Sequence, residues 1–500
     1  MSDRPAWSPP LLRLDDLVRR AAGRWPSRAA LVDARTGAVT TFAALDAAVD
    51  RAAAATAASV PAGSVVAVAT VPGAPFAAVH HGVVRAGGTV VTLNPLLPPP
   101  ALVGVLRAAG ARLAVVPDEL ADPLREAQGP SPAATVVTFS QFADRAAAAP
   151  APVPPTGDLT RDLTATAVVH VTSGTTGPPK TVRLSHAALV ANAAQTAAAQ
   201  GLDATSVTLN QLPVFHVMHL GSALWAGATQ VMAPGPDVRA AVAAADRYRA
   251  THWFGIPFRL TQLADDPDLA DVRPATVRAV LCGGSALPAR TARRLSARWG
   301  VPVVQGYGLA EASPLVTLDP VADPRPGSVG LPLPGTQVRV VDLRTRTPLG
   351  PGGRGEVEVH GPQLMTGYTD PSLPQPFTAD GWLVTGDVGH LDVDGRLHLL
   401  DRVADVFVRA GTVVAPGEVE AVLRREDGIA DAVVFGALPD AEGARACALV
   451  VAAHGSEPDD GLRARVDRDL PPTHRLASLR WVDRLPRTAG GKLRRGALTP

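Results

Sequence analysis

Lysine and tyrosine are scarce in this sequence. Lys180 and Lys492 are its two lysines, so nearly all of its 47 basic residues are arginines. Arginine serves wherever any positive charge suffices, and the remaining lysines indicate sites that need a compact charge on a flexible stem. The three tyrosines are Tyr248, Tyr307 and Tyr368. A lysine or a tyrosine inside a motif therefore indicates a functional position in this sequence.

Cysteine, excess charge and long apolar runs are also lacking. Cys282 and Cys447 are too few and too far apart for a disulfide framework or a zinc site, so we expect buried free thiols. With 47 basic and 46 acidic residues the net charge is +1, and no basic excess indicates nucleic acid or an anionic membrane as a partner. The N-terminus has no signal-peptide pattern and no apolar run reaches about 20 residues, so we expect a cytoplasmic protein without a membrane span.

The patterns along the 500 residues predict several regions, because a chain of this length exceeds one hydrophobic core. Alternating helix and strand signals predict two α/β regions with parallel sheets. The predicted helices are 43–58, 75–86 and 184–199, and the predicted strands are 65–71, 89–93, 165–171, 277–282 and 303–305.

The remainder of the chain has other patterns. Residues 327–400 predict a small β-rich subdomain with strands at 337–342, 355–360 and 397–400. Residues after 401 mix both signals and predict a small α+β domain. Residues 146–155, rich in alanine and proline, predict an exposed linker, and we expect the alanine-rich helices to lie on the surface.

A glycine- and hydroxyl-rich segment follows the strand predicted at 165–171 and precedes a helix. Such a segment can bind a phosphate group. Glycine leaves backbone N–H groups accessible, the hydroxyls add hydrogen-bond donors, and the lysine supplies a positive charge. The segment is not a P-loop, because the Gly-x-x-x-x-Gly-Lys-Ser/Thr spacing is absent. The residues that we expect to bind phosphate are Thr172, Ser173, Gly174, Thr175, Thr176, Gly177 and Lys180.

This segment resembles the phosphate loop of the adenylate-forming (AMP-binding) superfamily, which includes acyl-CoA synthetases and acyl-AMP ligases. Other segments resemble the further motifs of that superfamily in the same order; they are 86–95, 212–216, 281–288, 305–311, 381–387, 400–405, 409–418 and 485–492. The resemblance implies a large N-terminal adenylation domain over 1–400, made of two α/β sheet subdomains and the β-rich subdomain. It also implies a hinge at 401–405 and a mobile α+β C-terminal domain over 406–500.

The resemblance further implies how ATP is bound. Besides the phosphate loop, the implied residues are Gly284 and Ser285 beside the adenine, Gly306, Tyr307 and Gly308 around its stacking face, Asp387 at the ribose, and Arg402 at the ribose or a phosphate. Glu311 would ligate Mg²⁺ together with Thr176, since hard oxygen ligands suit this cation. The superfamily usually has threonine or serine before this glutamate, whereas this chain has Ala310, which predicts the loss of one hydroxyl contact to the α-phosphate.

The C-terminal motifs imply roles in catalysis and transfer. Lys492 would be the catalytic lysine that stabilises the transition state at the α-phosphorus. Asp405 would be the pivot of the hinge, and Gly411 would lie along the pantetheine path of coenzyme A. These roles predict a two-step reaction, in which an acyl-AMP forms with release of pyrophosphate and a thiol then takes the acyl group after the C-terminal domain rotates.

The expected acid lacks an α-amino group. Amino-acid-activating relatives usually carry an aspartate in the pocket segment, where this chain has Val214, Phe215 and His216. The resemblance implies that His216 is a catalytic residue that lines the acyl pocket near the nucleotide. Met218, Phe254 and Phe258 complete the predicted acyl pocket, although core packing explains each apolar residue equally well. The resemblance implies an aryl or aliphatic acid, ATP and Mg²⁺ as cofactors, and coenzyme A as the thiol. Two alternatives remain: a ligase that loads a separate carrier protein or amine, and a degenerate member that binds nucleotide or acyl-AMP without adenylating.

Overall fold

The computed structural model describes residues 7–149, 162–171, 180–212, 214, 216–233, 235–453, 455–486 and 498. The chain divides into two units, the first formed by Met1–Gln337 with His360–Pro376 and the second by Val338–Val359 with Phe377–Pro500. The first unit mostly alternates strands with helices, the second begins with strands and continues with both kinds of element, and each unit has its own core.

The elements are numbered in chain order through both units. The helices are α1 (Asp16–Arg24), α2 (Phe42–Ser59), α3 (Ala74–Arg85), α4 (Pro99–Ala109), α5 (Asp118–Gln128), α6 (Phe139–Ala148), α7 (His186–Gln200), α8 (Val217–Ala226), α9 (Val238–Arg247), α10 (Pro257–Asp265), α11 (Ala289–Trp299), α12 (Pro416–Leu423) and α13 (Leu462–Asp469). The strands are β1 (Ala29–Asp33), β2 (Val39–Thr41), β3 (Val65–Ala69), β4 (Thr89–Leu93), β5 (Ala111–Val116), β6 (Thr135–Thr138), β7 (Thr166–Val171), β8 (Thr181–Ser185), β9 (Val207–Asn210), β10 (Thr229–Met232), β11 (His252–Gly255), β12 (Ala279–Cys282), β13 (Val303–Gly308), β14 (Leu315–Leu318), β15 (Leu331–Pro332), β16 (Gln337–Val341), β17 (Gly355–His360), β18 (Gly367–Tyr368), β19 (Leu383–Leu391), β20 (Leu397–Arg402), β21 (Phe407–Arg409), β22 (Thr412–Val414), β23 (Ile429–Asp440), β24 (Gly443–Ala452) and β25 (Leu476–Trp481).

One sheet of the first unit has seven strands in the order β18-β8-β7-β4-β3-β5-β6. Strands β7, β4, β3, β5 and β6 run parallel, whereas β8 and β18 are antiparallel to their neighbours. Helices α2 and α3 pack so closely that a Cβ atom on Gly82 would lie 2.5 Å from the Cβ atom of Ala52. Close approach of the two helices therefore requires glycine at this position.

The second sheet of this unit has nine strands in the order β15-β14-β13-β12-β11-β9-β10-β1-β2. The strands from β13 to β1 run parallel and the edge strands are antiparallel. Parallel strands bring their carboxyl ends to one edge, where ligands of open α/β sheets usually bind. The segments that follow β9, β11, β12 and β13 carry predicted residues: Val214, His216, Gly284, Ser285 and Glu311 lie in loops and turns, and Phe258 lies in the first turn of α10.

The second unit contains two smaller sheets. Strands β16, β17, β19 and β20 form one sheet, and β22, β21, β24 and β23 form the other, in which β25 pairs parallel with β24. Val419 of α12 and Val466 of α13 are buried in one core cluster with Val434 of β23 and Val450 of β24. Helices therefore cover one face of the last sheet, as an α+β domain requires.

The predicted fold class is confirmed, and most element predictions agree with the observed bounds. The strands predicted at 89–93 and 355–360 match β4 and β17 residue for residue. Cys282 and Cys447 are buried and free, as predicted, and burial raises the pKa of Cys282 to about 12. The predicted domain boundary at residue 400 and the hinge at 401–405 stay predictions.

Three predictions were wrong. The helix predicted from 184 begins at His186, because Leu184 and Ser185 belong to β8 and the Ser185 hydroxyl caps α7 by accepting from the N–H of Ala188 at 3.1 Å. The alanine-rich α7 is buried over most of its length rather than on the surface, since small side chains allow neighbours on several faces. The linker predicted from 146 starts too early, because α6 extends to Ala148; residues 150–161 lie outside the described part of the chain.

Candidate active site

Three side chains from separate parts of the chain meet beside the start of β8. The hydroxyl of Tyr368 donates a hydrogen bond to Oε1 of Glu311 at 3.0 Å. The Nζ atom of Lys180 lies 5.0 Å from the centroid of the Tyr368 ring, within the range of a cation–π contact. A cation and a carboxylate are thus linked through one aromatic ring, an arrangement that suits a phosphate with its metal ion.

Backbone pairing explains why Tyr368 occupies this position. In β18, Gly367 stands opposite Arg183 of β8 and Tyr368 stands opposite Val182. The N–H of Tyr368 donates to Oε1 of Gln375 at 3.0 Å. Burial, and then the charge of Glu311, raise the pKa of Tyr368, so its hydroxyl stays protonated and acts as the donor.

Glu311 fits the predicted role of a magnesium ligand. It lies in a short 3₁₀ turn, Ala310–Ala312, and its carbonyl oxygen accepts from the N–H of Met365 at 2.8 Å. Among the described residues, its Oε2 atom accepts no hydrogen bond. Mg²⁺ is commonly held by one or two carboxylates together with substrate phosphates. The described residues contain no group of three or more His, Cys, Asp or Glu side chains that could hold a metal ion.

The segment around Tyr307 is held by strand pairing. Tyr307 is buried in β13 opposite Thr317 of β14. A Cβ atom on Gly306 would lie 3.0 Å from the carbonyl oxygen of Thr317, and one on Gly308 would lie 2.5 Å from that of Pro314. The approach of the Pro314 backbone therefore requires glycine at 308, and the approach of Thr317 favours glycine at 306, whatever their role toward a nucleotide.

Gln305, at the start of the same motif, fixes the loop predicted to border the adenine. Its amide nitrogen donates to the carbonyl oxygen of Ser285 at 2.9 Å, and its amide oxygen accepts from the N–H of Leu287 at 3.2 Å. Gly284 in this loop has φ +89° and open space around its Cβ position. The two predicted adenine segments, 281–288 and 305–311, are thus joined by one side chain.

A row of rings lies on the predicted acid side of the site. The ring centroids are 5.9 Å apart for His170 and His216, 6.1 Å for His216 and His219, and 4.0 Å for His219 and Phe254. Burial lowers the pKa of His170 to about 4 and those of His216 and His219 to about 3. All three imidazoles are therefore neutral near pH 7.

The hydrogen bond of His216 defines what this side chain can do. Its Nδ1 atom accepts from the N–H of Met218 at 3.2 Å, where His216 is the N-cap of α8. A neutral imidazole that accepts at Nδ1 carries its proton on Nε2. His216 is therefore arranged as a hydrogen-bond donor rather than as a base.

The structure brings together only some of the predicted pocket residues. Phe254 and Met218 pack in one cluster with Leu212, and the Phe254 ring is buried. Val214 is half-buried. Phe258 does not join this cluster, because it lies in the first turn of α10 and the residue is 68% exposed. Phe215 lies outside the described residues.

The predicted ribose residues meet in the second unit. Asp387 of β19 stands opposite Arg402 of β20, and Nε of Arg402 lies 2.7 Å from Oδ1 of Asp387. The N–H of Asp405 donates to the carbonyl oxygen of Arg402 at 2.9 Å, so the predicted pivot follows directly from this strand. Gly411 is exposed in the turn between β21 and β22, with φ +73°.

Other predicted residues lie outside the described part of the chain. They are Thr172, Ser173, Gly174, Thr175, Thr176, Gly177 and Lys492. Sequence reasoning missed Tyr368 and Gln305, each of which contacts a predicted site residue. The scarcity of tyrosine was a usable signal for Tyr368, since it is one of three in the chain.

Comparison with known proteins identifies the family. Residues 18–369 match the family described as AMP-binding enzyme, and residues 418–492 match the AMP-binding enzyme C-terminal domain. The chain therefore belongs to the AMP-binding enzyme family, as the motifs predicted.

Relatives and solved structures agree with this assignment. The chain is 34% identical over 348 residues to a feruloyl-CoA synthase of Amycolatopsis sp., which covers 68% of this chain and 70% of that protein. It is 30% identical over 509 residues to 4-coumarate–CoA ligase 5 of Oryza sativa subsp. japonica, covering 97% of this chain and 94% of that protein. ATP-bound MatB from Rhodopseudomonas palustris has a similar structure, with a TM-score of 0.85 and 27% identity over 97% of this chain and 98% of that chain.

The chain is accordingly an AMP-forming acid–thiol ligase, which converts a carboxylic acid and ATP to an acyl-AMP and passes the acyl group to a thiol. Within the described residues, every helix is too short or too polar to cross a membrane.

Proposed function

We propose that this ligase activates an aryl or aliphatic acid without an α-amino group, using ATP and Mg²⁺, and forms its coenzyme A thioester in the cytoplasm. The observation that carries the nucleotide part is the contact between Lys180, Tyr368 and Glu311 in the first unit. The relatives named above are a feruloyl-CoA synthase and a 4-coumarate–CoA ligase, which supports an aromatic acid and coenzyme A.

In the first half-reaction a carboxylate oxygen of the acid bonds to the α-phosphorus of ATP, and the bond to the β-phosphate breaks as pyrophosphate leaves. Lys180 and the glycine-rich loop bind phosphate oxygens, and Tyr307 stacks on the adenine. Glu311, with Thr176, would hold Mg²⁺, which neutralises phosphate charge when bound. Lys492 stabilises the charge that develops at the α-phosphorus.

In the second half-reaction the thiol sulfur of coenzyme A bonds to the acyl carbon and AMP leaves. Asp387 and Arg402 bind the ribose of the nucleotide, and rotation about Asp405 separates the two half-reactions. Gly411 lies along the path of the pantetheine arm. These roles follow from the motif positions and rest on the same proposal.

The acid side of the site supports a substrate without an ammonium group. The row formed by His170, His216, His219 and Phe254 contains no carboxylate, and its histidines are neutral. An α-ammonium group packed against these four side chains would be desolvated without a counter-charge from any of them, which is costly. An uncharged aromatic or aliphatic body is accommodated without that cost.

Acid-dependent exchange of ATP and pyrophosphate tests the proposal. Ferulate, 4-coumarate, a medium-chain and a long-chain fatty acid are compared with phenylalanine as the α-amino control. Exchange with one of the first four acids, followed by thioester formation when coenzyme A is added, is the expected result. Exchange without thioester formation would favour a carrier protein or an amine as the acceptor, and nucleotide binding without exchange would favour a degenerate member.

A further inference from the structure

Tyr368 contacts both of the described residues that the proposed function assigns to phosphate and metal, and it has no role in that proposal. It is 4% exposed, although Lys180 beside it is exposed and Glu311 is half-buried. Its backbone is fixed on one side by pairing with Val182 and on the other by the bond from its N–H to Gln375. The ring is therefore held in place independently of any ligand.

The hydroxyl of Tyr368 restricts the carboxylate of Glu311. An ionised carboxylate only accepts hydrogen bonds, so the phenol donates to Oε1. The same carboxylate then presents Oε2, which has no partner among the described residues. A ligand held in one rotamer loses less conformational entropy when it binds a cation than a freely rotating glutamate does.

The ring of Tyr368 restricts Lys180 in a similar way. Lysine has a flexible four-carbon stem, and its ammonium group lies 5.0 Å from the ring centroid. The attraction between an ammonium group and an aromatic face is modest but favours one region of the space that the stem can reach. The hydroxyl of Tyr368 thus contacts Glu311, and the face of its ring contacts Lys180.

We propose that Tyr368 is a positioning residue for the magnesium–ATP complex, its hydroxyl orienting Glu311 toward the cation and its ring steadying Lys180 toward the phosphates. This inference rests on the proposed function. Tyr368 need not touch ATP; it acts through the two residues that it contacts.

Two substitutions separate the hydroxyl from the ring. Tyr368→Phe removes the hydroxyl and keeps the ring, and Tyr368→Leu removes both. Tyr248→Phe is the matched control, because the Tyr248 hydroxyl is buried without a hydrogen-bond partner among the described residues and its ring also lies beside a cation, with the guanidinium of Arg247 5.3 Å from the ring centroid. Thermal unfolding of each variant detects loss of structure.

The readout is the dissociation constant of ATP, measured by calorimetry without acid, at saturating Mg²⁺ and again in EDTA. The dissociation constant in EDTA divided by the dissociation constant with Mg²⁺ is the ratio that measures how much the cation strengthens binding. We expect Tyr368→Phe to reduce this ratio about tenfold while binding in EDTA changes little, because a hydrogen bond to a charged group is lost. Tyr368→Leu should also weaken binding in EDTA, since Lys180 loses the ring.

A double-mutant cycle with Glu311→Gln identifies the route of the effect. If Tyr368 acts through Glu311, adding Tyr368→Phe to Glu311→Gln should leave the ratio unchanged. A ratio in Tyr368→Phe that equals that of the wild type and of Tyr248→Phe would overturn the inference, as would equal losses with Mg²⁺ and with EDTA. Failure of the proposed function looks different, because wild-type protein would then fail to bind ATP or to exchange pyrophosphate with any acid.

Discussion

Asp387 and Arg402 stand directly opposite each other on antiparallel strands, with Nε of Arg402 2.7 Å from Oδ1 of Asp387. The Asp387 side chain is 9% exposed, whereas the Arg402 side chain is 57% exposed. The arginine therefore fixes one carboxylate oxygen from the solvent side. A carboxylate oriented in this way is suited to accept hydrogen bonds from a ribose, which is its proposed role.

Replacing Arg402 with glutamine should raise the KM for ATP about tenfold, because one charge-assisted contact is lost and Asp387 is no longer fixed. The unfolding free energy should fall by no more than about 1 kcal/mol, since solvent screens the exposed arginine. Initial rates at varied ATP and urea unfolding measure the two effects. Arg463→Gln is the control and should leave the KM unchanged; it breaks the pair at 3.6 Å between the exposed Arg463 and the half-buried Asp467 in α13.

Replacing Lys492 with alanine should lower the rate of adenylate formation by about 10²- to 10³-fold and largely spare transfer from synthetic acyl-AMP. The reason is that the α-phosphorus reacts only in the first half-reaction. The two half-reactions are measured separately, with Arg494→Ala as a control for general loss of positive charge. Equal loss in both half-reactions would contradict the proposed role of Lys492.

The turn that contains Gly411 gives this glycine a structural role beside the proposed one. Ala410 has φ +46° and Gly411 has φ +73°, so the two-residue loop between β21 and β22 has positive φ at both positions, as a type I′ hairpin requires. A Cβ atom on Gly411 would have nothing within 4 Å. The backbone, rather than the space, restricts this position.

Gly411→Leu should slow thioester formation roughly tenfold more than pyrophosphate exchange, because a bulky side chain would enter the pantetheine path. Gly411→Asn is the control, since asparagine tolerates positive φ and is shorter. It should keep the thermal stability of the wild type and most of the thioester activity. If exchange falls as far as overall turnover in Gly411→Leu, the residue matters for the hairpin and not for the path.

Local sequence patterns were sufficient to predict much of the fold, but they predicted less of the candidate site. Thr89–Leu93 was predictable because a buried parallel strand is a short apolar run between turns. The strand β8 was missed because its five residues merge with the helix pattern after them, and only pairing with β7 and β18 makes it a strand. Burial of the alanine-rich α7 depends on tertiary packing, which composition does not reveal.

The same contrast applies to the site residues. Glu311 and Lys180 lie in motifs that can be recognised from a few consecutive residues. Tyr368 is 57 residues from Glu311 in sequence, and strand pairing alone brings it into contact. The ring contact between His219 of α8 and Phe254 of β11 likewise joins two elements that are distant in sequence, and no spacing rule predicts it.

Replacing Ala310 with threonine should raise the affinity for ATP or the adenylation rate about tenfold, by adding a charge-assisted hydrogen bond to the α-phosphate. Ala310 begins the turn that carries Glu311 and is half-buried, so there is a place for a small side chain. Initial rates at varied ATP measure the effect, and Ala310→Val controls for added bulk without a hydroxyl. A lower rate with threonine than with alanine would mean that the site has adapted to alanine, and would favour the degenerate alternative.

Buried neutral histidines should make the protein less stable in mild acid. Burial lowers the pKa of His81 to about 4 from the ordinary value of 6.5, and His170, His216 and His219 are lowered in the same direction. The unfolded chain takes up a proton at each site as the pH falls through about 6.5, while the folded chain does not until about pH 4 or below. Stability is therefore fully present above pH 6.5 and is lost progressively as the pH falls toward 4.

His81→Gln tests this argument at one site. The amide can still donate to the carbonyl oxygen of Ala77, which His81 Nδ1 contacts at 3.0 Å, but it does not titrate. We expect the loss of unfolding free energy between pH 7 and pH 5 to be smaller in this variant by about 2 kcal/mol than in the wild type. Urea unfolding at both pH values measures it, with the exposed His360→Gln as the control that keeps the wild-type dependence. An unchanged pH dependence in His81→Gln would mean that His81 becomes protonated in the folded protein without cost, and that its burial does not contribute to acid sensitivity.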